Sequence, residues 1–155
     1  MCQEVCPFNA SPKPRPGDAA LAPLNHLQFP LLEDLISLRS GQYRRFVKQT
    51  ALTRTSRAQL ARNAAVALGN AHNRNAIPIL VRALTDNTYP LVRGHAAWAL
   101  GRYPSSEVLK TLRNCLKRES DTYVIGEIRA ALDELEANLP PKPENPLPKS
   151  NNRDR

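Results

Sequence analysis

The chain has 155 residues, enough for one domain with a sizeable core, and a formal net charge of +8. No apolar run approaches the roughly 20 residues that cross a bilayer, and the first residues lack the basic-then-apolar layout of a secretory leader. A cytoplasmic, reducing compartment with no membrane partner is therefore expected, and Cys2, Cys6 and Cys115 are not read as a disulfide framework.

Residues 1–16, MCQEVCPFNASPKPRP, are proline-rich from Pro7 onward and show neither a helical nor a strand period. They read as an extended segment entering a domain, and residues 17–24 continue as loop. The spacing predicts a first short helix over 29–38, with Leu31, Leu32, Leu35, Ile36 and Leu38 on one face and Pro30 at its first position. Ser40-Gly41 breaks the pattern. A second short helix is expected over 42–50, with Tyr43, Phe46 and Val47 on one side and Arg44, Arg45 and Lys48 on the other.

Residues 54–70, RTSRAQLARNAAVALGN, form the clearest helix pattern in the chain. Thr55 or Ser56 supplies its cap, and Leu60, Ala64 and Leu68 share a face. Arg62 points away from that face, and Gly69 is expected in the left-handed position just past the helix end. A partner helix follows over 75–84, with Ile77, Leu80, Ala83 and Leu84 inward and Pro78 in its first turn. Pro90 starts the next helix, with Leu91, Val92, Ala96, Ala99 and Leu100 inward. Ser105-Ser106 cap residues 107–118, with Leu109, Leu112, Cys115 and Leu116 inward. Asp121 or Thr122 caps the last long helix, 123 to about 137. Residues 139–155, LPPKPENPLPKSNNRDR, are polar and proline-rich and are expected to be disordered.

The long helices repeat. Ala67, Ala99 and Ala131 fall in register at an offset of 32, as do Leu68, Leu100 and Leu132, and the partner helices repeat at the same offset. A fixed period of this size signals stacked helical hairpins. The fold class expected is all-α, a HEAT-like α-solenoid of helical hairpins with extended N- and C-terminal segments. Its repeat domain spans 17–138. The third copy has Asp133 where the others have Gly69 and Gly101, and polarity of this kind suits a terminal repeat on which nothing stacks. Small side chains at Ala65, Ala67, Ala97 and Ala99 allow close helix approach, and Trp98 is read as a packing side chain. Cys115, aligned with Ala83, is read as a small buried hydrophobe.

Charge distinguishes the first copy from the others. Residues 35–85 hold nine basic residues and no acidic one, whereas the rest of the chain holds 13 basic and 14 acidic. A field of one sign fits a polyanionic partner. Arg44, Arg45, Lys48, Arg54, Arg57, Arg62 and Asn63 form the candidate RNA-binding set, since RNA is gripped mainly through phosphates. A solvated helical face is the plainer account of the same charges. His26, His72 and His95 show no metal-ligand spacing.

Cys2-Gln3-Glu4-Val5-Cys6-Pro7 has the C-x3-C-P spacing that ends a ferredoxin-type cluster motif. Two cysteines cannot complete a four-cysteine site, so incidental thiols or part of a zinc site remain alternatives. The wider stretch CQEVCPFN resembles the second cluster motif of tRNA epoxyqueuosine reductases, with Phe8 where that family often has Trp. Leu60-Ala61-Arg62-Asn63, Ala67-Leu68-Gly69-Asn70 and the run from Val92 to Gly101, VRGHAAWALG, resemble the HEAT-like region that follows the clusters in the same family.

That resemblance implies an oxidoreductase of queuosine biosynthesis, acting on the tRNA wobble base with cobalamin and two [4Fe–4S] clusters. It implies that Cys2 and Cys6 are cluster ligands (residues 1–16 being the end of the cluster segment and its linker), that tRNA and an upstream catalytic part are partners, and that no catalytic residue lies in this chain. A cysteine just before Met1 would complete the pattern, through a split gene, a frameshift or a mis-assigned start. The competing expectation is a stand-alone HEAT-repeat scaffold for protein–protein interaction.

Overall fold

The computed structural model describes residues 30–138, together with the single position Pro7. The backbone divides into two units, Met1–Pro30 and Leu31–Arg155, and the architecture below is that of the second. Cys2, Cys6 and the polar tail 139–155 lie outside the described residues.

Among the described residues the only regular structure is helical. In chain order come α1 (Leu32–Ser37), α2 (Ser40–Val47), a 3-10 turn (Ala51–Arg54), α3 (Arg57–Ala71), a second 3-10 turn (Arg74–Ala76), α4 (Ile77–Asp86), α5 (Pro90–Gly101), α6 (Ser106–Leu116) and α7 (Thr122–Asn138). The long helices α3, α5 and α7 stack side by side as one layer, and α4 and α6 back them as a second. Helix α1 covers the start of the stack against α3. None of these helices is long and apolar enough to cross a membrane.

Local chemistry explains the helix starts. Ser56 Oγ accepts from the Gln59 backbone N–H at 3.2 Å, and the Gln59 side chain accepts from the Ser56 N–H at 2.8 Å, a reciprocal capping box. Pro90 stands at the start of α5 and Pro78 in the first turn of α4, where a missing N–H costs no helical bond. Ser105 caps α6, and the Asp121 carboxylate takes the N–H groups of Tyr123 and Val124 at the start of α7.

Several expectations need correcting. Gly69 lies inside α3, not beyond its end. Helix α3 runs on to Ala71, and His72 takes the left-handed turn at φ 51°. What Gly69 provides is proximity: a Cβ there would stand 3.0 Å from the Ala99 Cα and from the Trp98 ring. Gly101 meets Ala131 in the same way, at 3.1 Å. Each glycine thus seats the next long helix of the layer, and among the described residues Asp133 has no such helix to seat.

Leu31 and Leu91, expected inward, are 64% and 36% exposed. Leu31 has an extended backbone just before α1, and Pro30 is likewise outside the helix. On α6 the buried positions are Val108 and Leu112, with Leu109 only half-buried. Val108 corresponds to the buried Ala76 at the 32-residue offset, and Ala67 and Cys115 are half-buried too. The core runs from Leu35 and Ile36 through Ala64, Ala65, Leu68, Leu80, Val92, Ala96, Leu100, Leu112, Val124 and Ile128 to Leu135.

Candidate nucleic-acid interface

Arg44 and Arg45 sit in the last turn of α2, with Lys48 at its end, and all three are exposed. Tyr43 reaches from the same helix and donates its hydroxyl hydrogen to the Thr55 carbonyl, which lies between the 3-10 turn and α3. That bond holds α2 against the entry to α3, where Arg54 is exposed. Arg44, Arg45, Lys48 and Arg54 form no hydrogen bond or ion pair with any described residue.

Three arginines of the later repeats are engaged differently, whereas Arg118 and Arg129 are exposed. Arg93 forks onto Glu119, Nε to Oε2 at 2.8 Å and Nη2 to Oε1 at 3.0 Å, and its Nη1 donates to the Asn87 carbonyl at 3.0 Å. Arg102 pairs with Glu134 and Arg113 with Glu136, each at 2.7 Å. Arg44, Arg45, Lys48 and Arg54 therefore have no carboxylate partner among the described residues, while these three later arginines do.

Arg57 and Arg62, also in the candidate RNA-binding set, are less open to solvent than those four cations. Arg57 donates to the Leu38 carbonyl at 3.0 Å and to the Tyr89 hydroxyl at 3.2 Å, and its guanidinium stands 5.0 Å from the Tyr89 ring centroid. It braces α1 and α5 against α3. Arg62 is half-buried, and its Nε is closed off from solvent with no partner among the described residues. Asn63 is exposed on the next position of α3.

Tyr89 and Tyr123 are not among the candidate residues, yet Tyr89 lies against Arg57 and Tyr123 occupies the matching place at the start of α7. They are 38% and 39% exposed at the N-terminal ends of α5 and α7. The Tyr123 ring rests on Gly94, where a Cβ would come within 2.4 Å of it. His95 Nδ1 lies 2.9 Å from the Leu91 carbonyl and 3.0 Å from the Tyr123 hydroxyl. A carbonyl can only accept, so Nδ1 carries the hydrogen and the phenol oxygen shares it. Burial pushes the Tyr123 phenol above its usual range; Glu127 and Asp121 add to that rise, and Arg62 opposes it. The usable signal was positional, because both tyrosines directly follow polar turns at helix starts.

A separate cavity of about 590 Å³ opens between the C-terminal ends of α4 and α6, lined by Asn87, Arg93, Asn114, Cys115, Arg118 and Glu119 among others. Burial raises the Cys115 thiol, so it is a poor nucleophile. Among the described residues no group of three or more His, Cys, Asp or Glu side chains could hold a metal ion.

The HEAT-repeat family model matches residues 49–133, more than half of the chain. An epoxyqueuosine reductase from Bacillus cereus is 30% identical over 134 residues, which is 86% of this chain and 35% of that protein. One from Bacillus subtilis is 26% identical over 137 residues. An uncharacterized protein from Geobacillus stearothermophilus is 30% identical over 136 residues, 62% of its length. The crystal structure of an epoxyqueuosine reductase with a tRNA-Tyr epoxyqueuosine-modified stem loop superposes with a TM-score of 0.79 at 26% identity, over 87% of this chain and 36% of that one. The chain thus spans about a third of the length of the epoxyqueuosine reductases it matches. It belongs to the HEAT-repeat family and is homologous to part of the epoxyqueuosine reductases.

Proposed function

We propose that this chain is the C-terminal portion of a tRNA epoxyqueuosine reductase and supplies that enzyme with a basic surface for tRNA. The observation that carries the reading is the set of cations Arg44, Arg45, Lys48 and Arg54, without a partner among the described residues, on two tethered elements. A scaffold for proteins has no general need for uncompensated charge of one sign, whereas phosphate binding is driven by it. The solved relative that holds a tRNA stem loop supports the same partner.

In this reading the enzyme is cytoplasmic, and its reaction is an oxidoreduction carried out in the part that precedes this chain. Cobalamin and the [4Fe–4S] clusters supply the electron chemistry there. Cys2 and Cys6 contribute one thiolate each, to different clusters. Two thiolates do not make a four-thiolate site, so this chain alone does not fit a whole cluster. No reaction step is assigned to its residues.

Two measurements test the reading. In a mobility-shift titration with a tRNA anticodon stem loop, the chain binds, and the combined variant Arg44→Ala/Arg45→Ala/Lys48→Ala/Arg54→Ala binds at least about tenfold more weakly. Equal binding by the variant would refute the phosphate-gripping surface. On anaerobic reconstitution the isolated chain forms no stoichiometric [4Fe–4S] chromophore and shows no reductase turnover. A full cluster on the monomer would contradict the shared-ligand assignment.

A further inference from the structure

Three of the four large hydrophobic side chains exposed among the described residues, Tyr89, Leu91 and Tyr123, gather at the N-terminal ends of α5 and α7. The Arg57 guanidinium, on the neighbouring helix α3 of the same layer, stands over the Tyr89 ring. We propose that Tyr123, seated on Gly94 and held by His95, is a stacking platform for an unpaired base of a bound RNA loop, with the Arg57–Tyr89 pair one repeat earlier continuing it. This rests on the RNA reading above and adds how the loop, rather than the phosphate chain, is recognised.

The geometry favours a planar, neutral ligand group. Gly94 lets the Tyr123 ring lie against the backbone of α5, and any side chain there would displace it. The His95 contact fixes the phenol end, so the ring is held in place before a ligand arrives. Asp121 and Glu127 lie close enough to act on the phenol, which makes the spot a poor seat for a phosphate. An aromatic ring beside a guanidinium is a standard seat for an unstacked base. The acid-free basic stretch 35–85, which includes Arg57 at the Tyr89 ring, supplies the charge complementarity that selects RNA over a protein helix as the occupant.

The test uses the full 155-residue chain and two RNAs of equal length and charge, a stem with an unpaired loop and a fully paired duplex. Tyr123→Phe keeps the ring, and Tyr123→Leu keeps an apolar contact on Gly94 without one. The platform predicts that the wild-type and Tyr123→Phe chains favour the looped RNA. Tyr123→Leu loses on the order of tenfold in affinity for the loop, with duplex binding and the salt dependence unchanged. Equal loop binding by the Leu and Phe variants would overturn the platform while leaving the cation surface standing. Failure of both RNAs to bind the wild-type chain would instead sink the RNA reading itself. A dimer in sedimentation that Tyr123→Leu dissociates would assign the patch to a second copy and overturn the proposal.

Discussion

Glu119 receives two hydrogen bonds from the Arg93 guanidinium, which hold its carboxyl at about 2 against an ordinary 4.5, with smaller help from the Asp121 and Ser120 backbone N–H groups. A depressed folded value stabilises the fold fully above the unfolded pKa, and that contribution fades as pH falls from about 4.5 towards 2. The difference corresponds to about 3 kcal/mol. Urea titrations should show the wild-type chain losing this amount between pH 5 and pH 2, with Glu119→Gln less stable at pH 7 and flatter across the acid range. Arg57 and Arg54 differ in the opposite way from their similar places in the sequence. Arg57→Ala removes a charged hydrogen bond to the Leu38 carbonyl and the contact with Tyr89, and is expected to cost about 1.5 to 3 kcal/mol in the same assay. Arg54→Ala, exposed and unpaired, is expected to stay within about 0.5 kcal/mol of wild type. Sequence reasoning placed both among the RNA contacts because charge is legible in a chain. A backbone carbonyl 19 residues away, as the fixed partner of one of them, is not.

Helix stacking is where the 32-residue register becomes physical. Each helix of the α3–α5–α7 layer presents small residues to the next, and Gly69 and Gly101 stand at the closest approaches. Gly69→Ala gains up to about 1 kcal/mol of helix propensity but drives a methyl to 3.0 Å from the Ala99 backbone and the Trp98 ring. Overpacking of that kind costs about 1 to 3 kcal/mol, so a net loss is expected in thermal melts. Gly126→Ala has no atom within 4 Å of the new methyl and should stabilise by up to about 1 kcal/mol. The alanine and leucine registers, the proline starts and the serine caps were all readable beforehand, because they depend on residues a few positions apart. The role of Gly69 was not, because a glycine near the end of a periodic run satisfies a turn and a close approach equally well. Leu91 was misplaced for a related reason. Its apolar side chain fits the inward pattern, but it stands in the first turn of α5 and is 36% exposed.

Across the whole molecule, the two parts of the repeat domain share a fold and differ in charge. From Arg93 onward, three arginines are tied to carboxylates at 2.7 to 2.8 Å, while Arg44, Arg45, Lys48 and Arg54 have no such partner among the described residues. The uneven charge was visible in the sequence, and so was its location. The tethering of α2 to the entry of α3 by Tyr43, and the seating of Tyr89 against Arg57, needed the fold. The central claim is that these free cations grip RNA phosphates, and the salt dependence of tRNA stem-loop affinity tests it most directly. Each neutralised phosphate contributes about 0.7 to 0.9 to the slope of log affinity against log salt concentration. Replacing Arg44, Arg45, Lys48 and Arg54 with alanine should flatten the slope by about 3, whereas Arg113→Ala, whose charge is already paired with Glu136, should change it little. A quadruple variant whose slope matches that of the wild-type chain would contradict the account.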